Sequence, residues 1–240
     1  MADDGISVYV ANLGKYNEGE LKGGWITLPV EPDDLDRFLS ETVGVGAAGY
    51  EEYAIHDWEG DGLVALSGMK IDEHVDLNDL NVAAAILKEQ GADVAAMLDH
   101  AAEQANASGP LAYASLALQA DDIPFSAYDA PEGVLYASLE EKFAYSCAET
   151  DEDLKEAIDG KWGPYLNLAA IGRDLAMNMT LTDDGYFDDA QDYPDPDYYS
   201  REELYEHAGY LLPGADGEDA AWRMGTASGL DAPTASGPAR

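Results

Sequence analysis

The hydrophobic pattern of the first sixty residues predicts two strands, a helix and a third strand. The apolar runs Ile6–Leu13 and Trp25–Val30 are rich in β-branched and aromatic residues, which is typical of strands, and a glycine-rich segment connects them. Pro32 begins a predicted helix with an acidic first turn and an apolar face. Tyr50–Trp58 predicts a further strand, whose aromatic residues we expect to lie mainly in the core, with some exposed among the carboxylates where a partner could touch them. Residues 1–62 are therefore predicted to form a small α+β domain.

From Leu77 onward the pattern changes to that of helices. Three segments rich in Ala and Leu place apolar residues at intervals of three and four. Gly91 and the sequence Ser108-Gly109-Pro110 lie where these helices should end, and a glycine-bearing stretch before them has the composition of a linker. The sequence thus predicts a helical middle domain over residues 72–120.

Residues 121–212 return to a mixed pattern and predict a C-terminal α+β domain with one additional acidic helix. Ser138 and Glu141 form a capping-box pattern ahead of an apolar helical segment. The other predicted elements are a strand at Pro124–Tyr128, helices at Asp151–Asp159, Tyr165–Met177 and Arg201–Leu212, and a hairpin with its turn at Asp184-Gly185. Residues 213–240 are predicted to be a disordered tail. The predicted fold class is α+β, as an elongated chain of three small domains with a strongly acidic surface.

The charge of the chain narrows its possible partners. It has 49 Asp and Glu against 12 Lys and Arg, a formal net charge of −37, where a single-digit net charge suffices for solubility. Successive quarters of sixty residues carry −10, −7, −9 and −11, so the charge is not confined to a tail. Such a chain should repel nucleic acid and acidic membrane and attract basic clefts. Its Lys and Arg are dispersed singly, which excludes a phosphate-binding surface.

The amount of charge is comparable with that of a short DNA duplex. Duplex DNA carries one negative charge per about 1.7 Å, so 37 charges correspond to roughly 63 Å, or on the order of 18 base pairs. A compact globule of this chain length would be about 45 Å across. If the small domains were arranged in an elongated chain, the protein would therefore carry about the same negative charge per unit length as duplex DNA.

The motifs of catalytic, cofactor and metal sites are missing from the sequence. With so many acids, a carboxylate pair at any chosen spacing is uninformative. Neither a calcium-loop motif nor a phosphate loop occurs, and Cys147 lies on a predicted apolar helix face without a histidine neighbour. No secretory signal or membrane-length apolar segment is visible, so we expect a cytoplasmic protein without cofactors. The histidines lack metal-ligand spacing: His56, His74, His100 and His207.

Two dense motifs resemble the amino-terminal signature of the ArdA-type antirestriction proteins: YVANLGKYNEGELKGGW and YEEYAIHDWE. The likeness recurs more loosely in SLEEKFAY and in YLNLAAIGRDLAMNMTLTDDGYF. The resemblance implies a non-enzymatic inhibitor, carried by a mobile genetic element, that imitates DNA in the DNA-binding groove of type I restriction-modification enzymes. It also implies an elongated homodimer joined through the C-terminal domain, with Tyr165, Leu168, Ile171 and Leu175 at the interface. The extension after Asp189 departs from the pattern and bears on that dimer geometry.

Under this hypothesis exposed carboxylates would act together at phosphate-like positions, and no single substitution should abolish inhibition. Asp174 lies inside a family-like motif, where a packing or dimer role competes with phosphate mimicry. The candidate partner-binding carboxylates are Glu18, Glu20, Asp33, Asp34, Glu51, Glu52, Asp57, Glu140, Glu141, Asp151, Glu152, Asp153, Asp174, Asp183 and Asp184.

The acidity is also compatible with two alternative hypotheses. A protein from a salt-loving cell would be acidic as well, and the excess of 29 Asp over 20 Glu with scarce Lys suits that origin. Halophily predicts composition, however, and not a specific residue order. An acidic chaperone of basic DNA-binding proteins would share the electrostatics, but it should concentrate its charge in a tail or cradle.

Overall fold

The chain folds as a mixture of helices and small sheets, which confirms the predicted α+β class. The computed structural model describes residues 5–46, 50–60, 69–131 and 133–212. Their contacts form two compact units. The first unit comprises the described residues of Met1–Ala102, Ala107–Leu118 and Pro196–Arg240, and the second those of Glu103–Asn106 and Gln119–Asp195.

The first unit contains an antiparallel sheet of three strands. Strand β1 (Ile6–Asn12) lies between β2 (Gly23–Leu28) and β3 (Tyr53–Gly60). Ile6, Val8 and Val10 alternate along β1 and are fully buried, because successive side chains of a strand point to opposite faces. All three predicted strands are confirmed. Helix α1 (Leu13–Asn17), which follows β1 directly, was not predicted.

Helices complete the first unit. Pro32 begins α2 (Pro32–Arg37) as predicted, and the chain continues into a π-helix, Phe38–Val43. The three predicted central helices are α3 (Leu77–Gln90), α4 (Ala92–Gln104) and α5 (Pro110–Leu118).

Helix α3 belongs to the same unit as the sheet. Its buried Asn81 accepts a hydrogen bond from Val30 N at 2.9 Å and donates one to Val30 O at 2.9 Å. This pair joins α3 to the segment that follows β2. The division into three domains stays a prediction, since the contacts alone separate two units.

The second unit is a small sheet covered by helices. Its first strand is β4 (Phe125–Ala127). The α-helices and strands that follow are, in chain order, α6 (Leu139–Ala148), α7 (Glu152–Asp159), α8 (Leu168–Leu175), β5 (Met179–Leu181) and β6 (Gly185–Asp188). The two strands β5 and β6 form a hairpin, and β4 pairs with the other edge of β6, so the sheet order is β4-β6-β5. The predicted strand β4, the hairpin and the helices are confirmed, although α8 is shorter at both ends than Tyr165–Met177.

The last described helix, α9 (Arg201–His207), is counted with the first unit. It is shorter than the predicted Arg201–Leu212, since Gly209 adopts a positive φ of 74° two residues after it ends. Most of the predicted linker before Leu77 and the predicted tail lie outside the described residues. Within the described ranges, no helix has the length and apolar character needed to cross a membrane.

Candidate functional site

The candidate carboxylates lie at the surface of both units. All are exposed except Glu140 and Glu141, which are half-buried. The polar and charged residues that are buried in the described part of the chain are uncharged: Asn12, Asn81, Ser115 and Ser146. The fold therefore buries apolar residues and a few uncharged polar ones and leaves most of the candidate carboxylates exposed, as the high desolvation penalty of a charge requires.

In the first unit, Glu18 caps the C-terminus of α1 and Glu20 follows two residues later. The buried Asn12 caps this helix by accepting from Lys15 N at 2.9 Å, while its Nδ2 donates to Val43 O and Gly44 O. Lys15 Nζ pairs with Glu18 at 3.2 Å and with Glu20 at 3.3 Å. One lysine thus holds two candidate carboxylates side by side and offsets one of their two charges.

The segment before β3 lies next to Glu18. Tyr50 donates its hydroxyl hydrogen bond to Glu18 at 3.0 Å, and Leu13 N donates to Glu52 O at 3.1 Å. These contacts bring Glu18 close to the chain that carries Glu51 and Glu52, more than thirty residues further on. Hydrogen bonds from Lys15 and then Tyr50 lower the pKa of Glu18, which favours its charged form.

The remaining candidates of the first unit are held by local contacts. Asp33 and Asp34 lie in the first turn of α2, and Asp34 pairs with Arg37 at 2.7 Å. Asp57 on β3 accepts a hydrogen bond from Trp58 N at 2.9 Å. Trp58 is 38% exposed, whereas Tyr50 and Tyr53 of the same predicted strand are half-buried. A residue near the end of a sheet edge has fewer neighbours to cover it.

In the second unit, the N-terminus of α6 carries Glu140 and Glu141. Ser138 Oγ accepts from Glu141 N at 3.2 Å, which confirms the predicted cap. The return bond of the capping box is displaced by one residue, because Glu141 Oε2 accepts from Ala137 N at 2.6 Å. A hydrogen bond with Ser138 lowers the pKa of Glu140, and the charge of Arg173 adds to this effect.

Two contacts place other candidates beside α6. Lys142 Nζ donates to Asp183 O at 2.9 Å, so the hairpin turn with Asp183 and Asp184 lies next to this helix. Gly172 of α8 lies directly against Glu140 O, where a Cβ atom would overlap the carbonyl oxygen. This close approach explains the glycine in the Gly172-Arg173-Asp174 sequence, in which Asp174 is exposed.

Helix α7 forms an acidic surface segment. Asp151 caps it by accepting from Leu154 N at 3.0 Å, and Glu152 and Asp153 occupy its first turn. Lys155 pairs with Glu149 at 2.7 Å. An anion near a helix N-terminus is favourable, so these charges can be held close together without destabilising the helix.

The residues that the resemblance places at a dimer interface differ in exposure. Leu168 is buried within the second unit and Ile171 is half-buried, whereas Tyr165 is 80% exposed and Leu175 is exposed. Sequence reasoning missed Trp162, which is exposed with its ring centroid 6.0 Å from that of Tyr165. The Trp-Gly-Pro-Tyr sequence could have signalled it, because an aromatic pair within a turn has little core to enter.

The described residues offer little for catalysis or metal binding. They contain no group of three or more His, Cys, Asp or Glu side chains that could hold a metal ion. Cys147 is half-buried, and burial raises the pKa of its thiol, which disfavours the reactive thiolate. The fold and this surface thus define an acidic α+β protein with ion-paired and helix-capping carboxylates at its surface.

Comparison with known families then identifies the chain more closely. Residues 8–188 match the family model described as "Antirestriction protein (ArdA)". The match covers 181 of the 240 residues, so the chain belongs to the ArdA family of antirestriction proteins. No curated protein matches the chain. The match ends at Asp188, the last residue of β6, and helix α9 follows it.

Proposed function

We propose that this protein inhibits type I restriction-modification enzymes by occupying their DNA-binding groove with exposed carboxylates. The observation that carries the proposal is the outward placement of the carboxylates in both units of a chain that belongs to an antirestriction family. A DNA-binding groove gains much of its affinity from releasing the counterions of phosphates. A surface of closely held carboxylates offers the same attraction without bases to cleave or methylate.

The contacts support simultaneous presentation of several charges. Lys15 holds Glu18 beside Glu20, and Lys142 holds the hairpin turn beside α6. These links limit the conformational entropy that would be lost on binding, since the charged segments are already positioned. The protein would act in the cytoplasm, as a homodimer joined through the region that contains Tyr165, Leu168, Ile171 and Leu175.

The experiment is a competition assay with a purified type I enzyme at about 0.1 M salt, following DNA binding, cleavage and methylation. Near-stoichiometric protein should displace DNA, and the inhibition should weaken as salt rises, because screening reduces charge–charge attraction. Unchanged DNA binding at large excess, across several type I enzymes, would exclude the proposal. The acidity would then reflect a salt-rich cell or another basic partner.

A further inference from the structure

A cleft lies beside β3 in the first unit and contains aromatic rings together with carboxylates. Its volume is about 670 Å³, within the usual range for a ligand pocket. We call it the β3 cleft and define it by six of its lining residues, which are the aromatic Tyr16, His56 and Trp58, the acidic Asp57 and Glu73, and Ile55. Tyr16 is 53% exposed, and His56 and Trp58 are also exposed. A partner can therefore reach these rings.

The backbone around the β3 cleft holds its two walls in place. Ile55 N donates to Glu73 O at 3.1 Å, so the segment with Glu73 lies along the edge of β3. Tyr16 is on α1, whose start is capped by the buried Asn12. The rings of Tyr16 and His56 meet edge to face, with centroids 4.8 Å apart and planes at 77°. These contacts hold the residues on both sides of the cleft next to each other.

The chemistry of the lining favours a cation. None of the described residues that line it is Lys or Arg. Lys15, the nearest cation along α1, is paired with Glu18 and Glu20. Asp57 accepts one hydrogen bond from Trp58 N, and a carboxylate has about four acceptor positions, so it retains acceptor capacity. Aromatic faces carry negative potential and attract cations.

Among cations, arginine fits these groups best. Its planar guanidinium stacks on aromatic rings and donates two parallel hydrogen bonds to a carboxylate, whereas the ammonium of lysine is a compact, strongly hydrated charge. A nucleic acid offers phosphates, which the two carboxylates would repel. Charge complementarity therefore selects a protein partner with an exposed arginine.

We propose that the β3 cleft binds an arginine side chain of a partner protein, stacked on its aromatic rings and paired with its carboxylates. The identity of that partner as a restriction-modification enzyme rests on the function proposed above. The cleft adds a specific anchor to the dispersed attraction of the acidic surface. A basic groove would then contribute one arginine to a defined position, in addition to its overall charge.

The first test uses the full chain, labelled with ¹⁵N, and the peptide acetyl-Gly-Arg-Gly-amide. This arginine peptide should cause saturable chemical-shift changes at the Trp58 indole and at the Tyr16 and His56 amides. The corresponding lysine peptide should bind with at least several-fold lower affinity, and the uncharged citrulline peptide should cause no such changes. Y16A should remove the shifts at the Trp58 indole and the His56 amide, and W58A should remove those at the Tyr16 and His56 amides. The matched control is W25A, which truncates an exposed tryptophan of the same sheet outside the cleft and should keep them.

Shifts of equal size for arginine and lysine peptides, spread over the acidic surface and unchanged in W58A, would overturn the inference. Folding of each variant is checked by its thermal transition. The second test compares inhibition of a type I enzyme, where Y16A and W58A should each raise the inhibitory concentration roughly tenfold over W25A. Equal potency of the three variants would also overturn the inference. If the unaltered protein inhibits no type I enzyme, the proposed function fails, and the peptide titration decides on the cleft alone.

Discussion

The two units carry charge of the same sign, but they differ in the core that supports it. The 116 described residues of the first unit include 22 acidic and 6 basic residues, a net of −16. The 80 described residues of the second unit include 19 acidic and 4 basic residues, a net of −15. Most of the fully buried side chains belong to the first unit. The smaller unit therefore holds more charge per residue on a smaller core.

The first unit also uses charge within its packing. Arg201 of α9 pairs with Asp79 at 2.8 Å and with Asp76 at 3.1 Å, and Tyr205 donates to Asp79 at 2.7 Å. Leu204 and Tyr205 are buried beside this network. In the second unit the cations Lys142 and Lys155 instead hold surface segments. The comparison teaches that acidity is part of the structure in one unit and mainly a surface property in the other.

The largest expected effect concerns the close packing of the second unit. Gly172→Ala should lower its stability by about 3 kcal/mol, because the new methyl group would overlap the carbonyl oxygen of Glu140, and a backbone atom of α6 cannot move aside. Gly24→Ala is the matched variant in the first unit, since its methyl group would meet a Thr42 side-chain carbon at 2.8 Å. Urea unfolding should show a smaller loss for Gly24→Ala. Equal losses would show that backbone contact is not decisive.

The next effect tests how each unit contributes to inhibition. Four charges are neutralised in each unit, and the inhibitory concentration for a type I enzyme is measured against salt. Each set of substitutions should raise the inhibitory concentration roughly tenfold or more and make it depend less on salt, since phosphate-like contacts are lost. The second-unit set should act more strongly, because fewer cations offset the charge there. The first-unit set is Asp33→Asn, Asp34→Asn, Glu51→Gln and Glu52→Gln. The second-unit set is Glu152→Gln, Asp153→Asn, Asp183→Asn and Asp184→Asn.

If both sets left inhibition unchanged, the carboxylates would not be the surface that binds. If the first-unit set alone abolished inhibition, the enzyme would bind mainly the first unit. Thermal transitions of both variants check that the surface charge, and not the folding, has changed.

A smaller effect is expected at the Arg201 network. Arg201→Ala should destabilise the first unit by about 1–2 kcal/mol, because Asp76 and Asp79 would lose their cation. The figure is below that of a fully buried pair, since the Arg201 side chain is 39% exposed. Arg37→Ala, which removes a pair between exposed side chains three residues apart, is the control and should change stability very little. Equal thermal transitions for both variants would contradict the structural role of Arg201.

The smallest effect is an opposite pH response of two carboxylates. Burial, and next the charge of Asp76, raise the pKa of Asp79, while Ser138 lowers the pKa of Glu140. Charged Asp79 thus reduces stability at neutral pH, and this penalty is relieved as pH falls through its raised pKa. Glu140 contributes stability above its ordinary value of 4.5, which is lost as pH falls through its lowered pKa. NMR titration of the carboxyl groups should give Asp79 a higher titration midpoint than Glu140. The reverse order would contradict the contacts described for both residues.

Much of the local structure could be predicted because it depends on neighbouring residues. The β-branched and aromatic residues of Ile6–Leu13 predicted a strand, and Pro32 and Ser138 marked helix starts. Helix α1 was missed because its five residues are too few for a periodic pattern. The net charge and the family also follow from the sequence, since they require only composition and residue order.

Only the tertiary structure decided which side chains meet. Arg201 reaches Asp79 across 122 positions, Tyr50 reaches Glu18 across 32, and Tyr16 meets His56 in the β3 cleft. With 49 acidic residues, no spacing rule could choose these partners. The sequence by itself determined how much charge the protein carries and where most helices and strands lie, because these depend on local preference. The arrangement of that charge depends on strand register and helix packing, which are set by contacts between residues far apart in the chain.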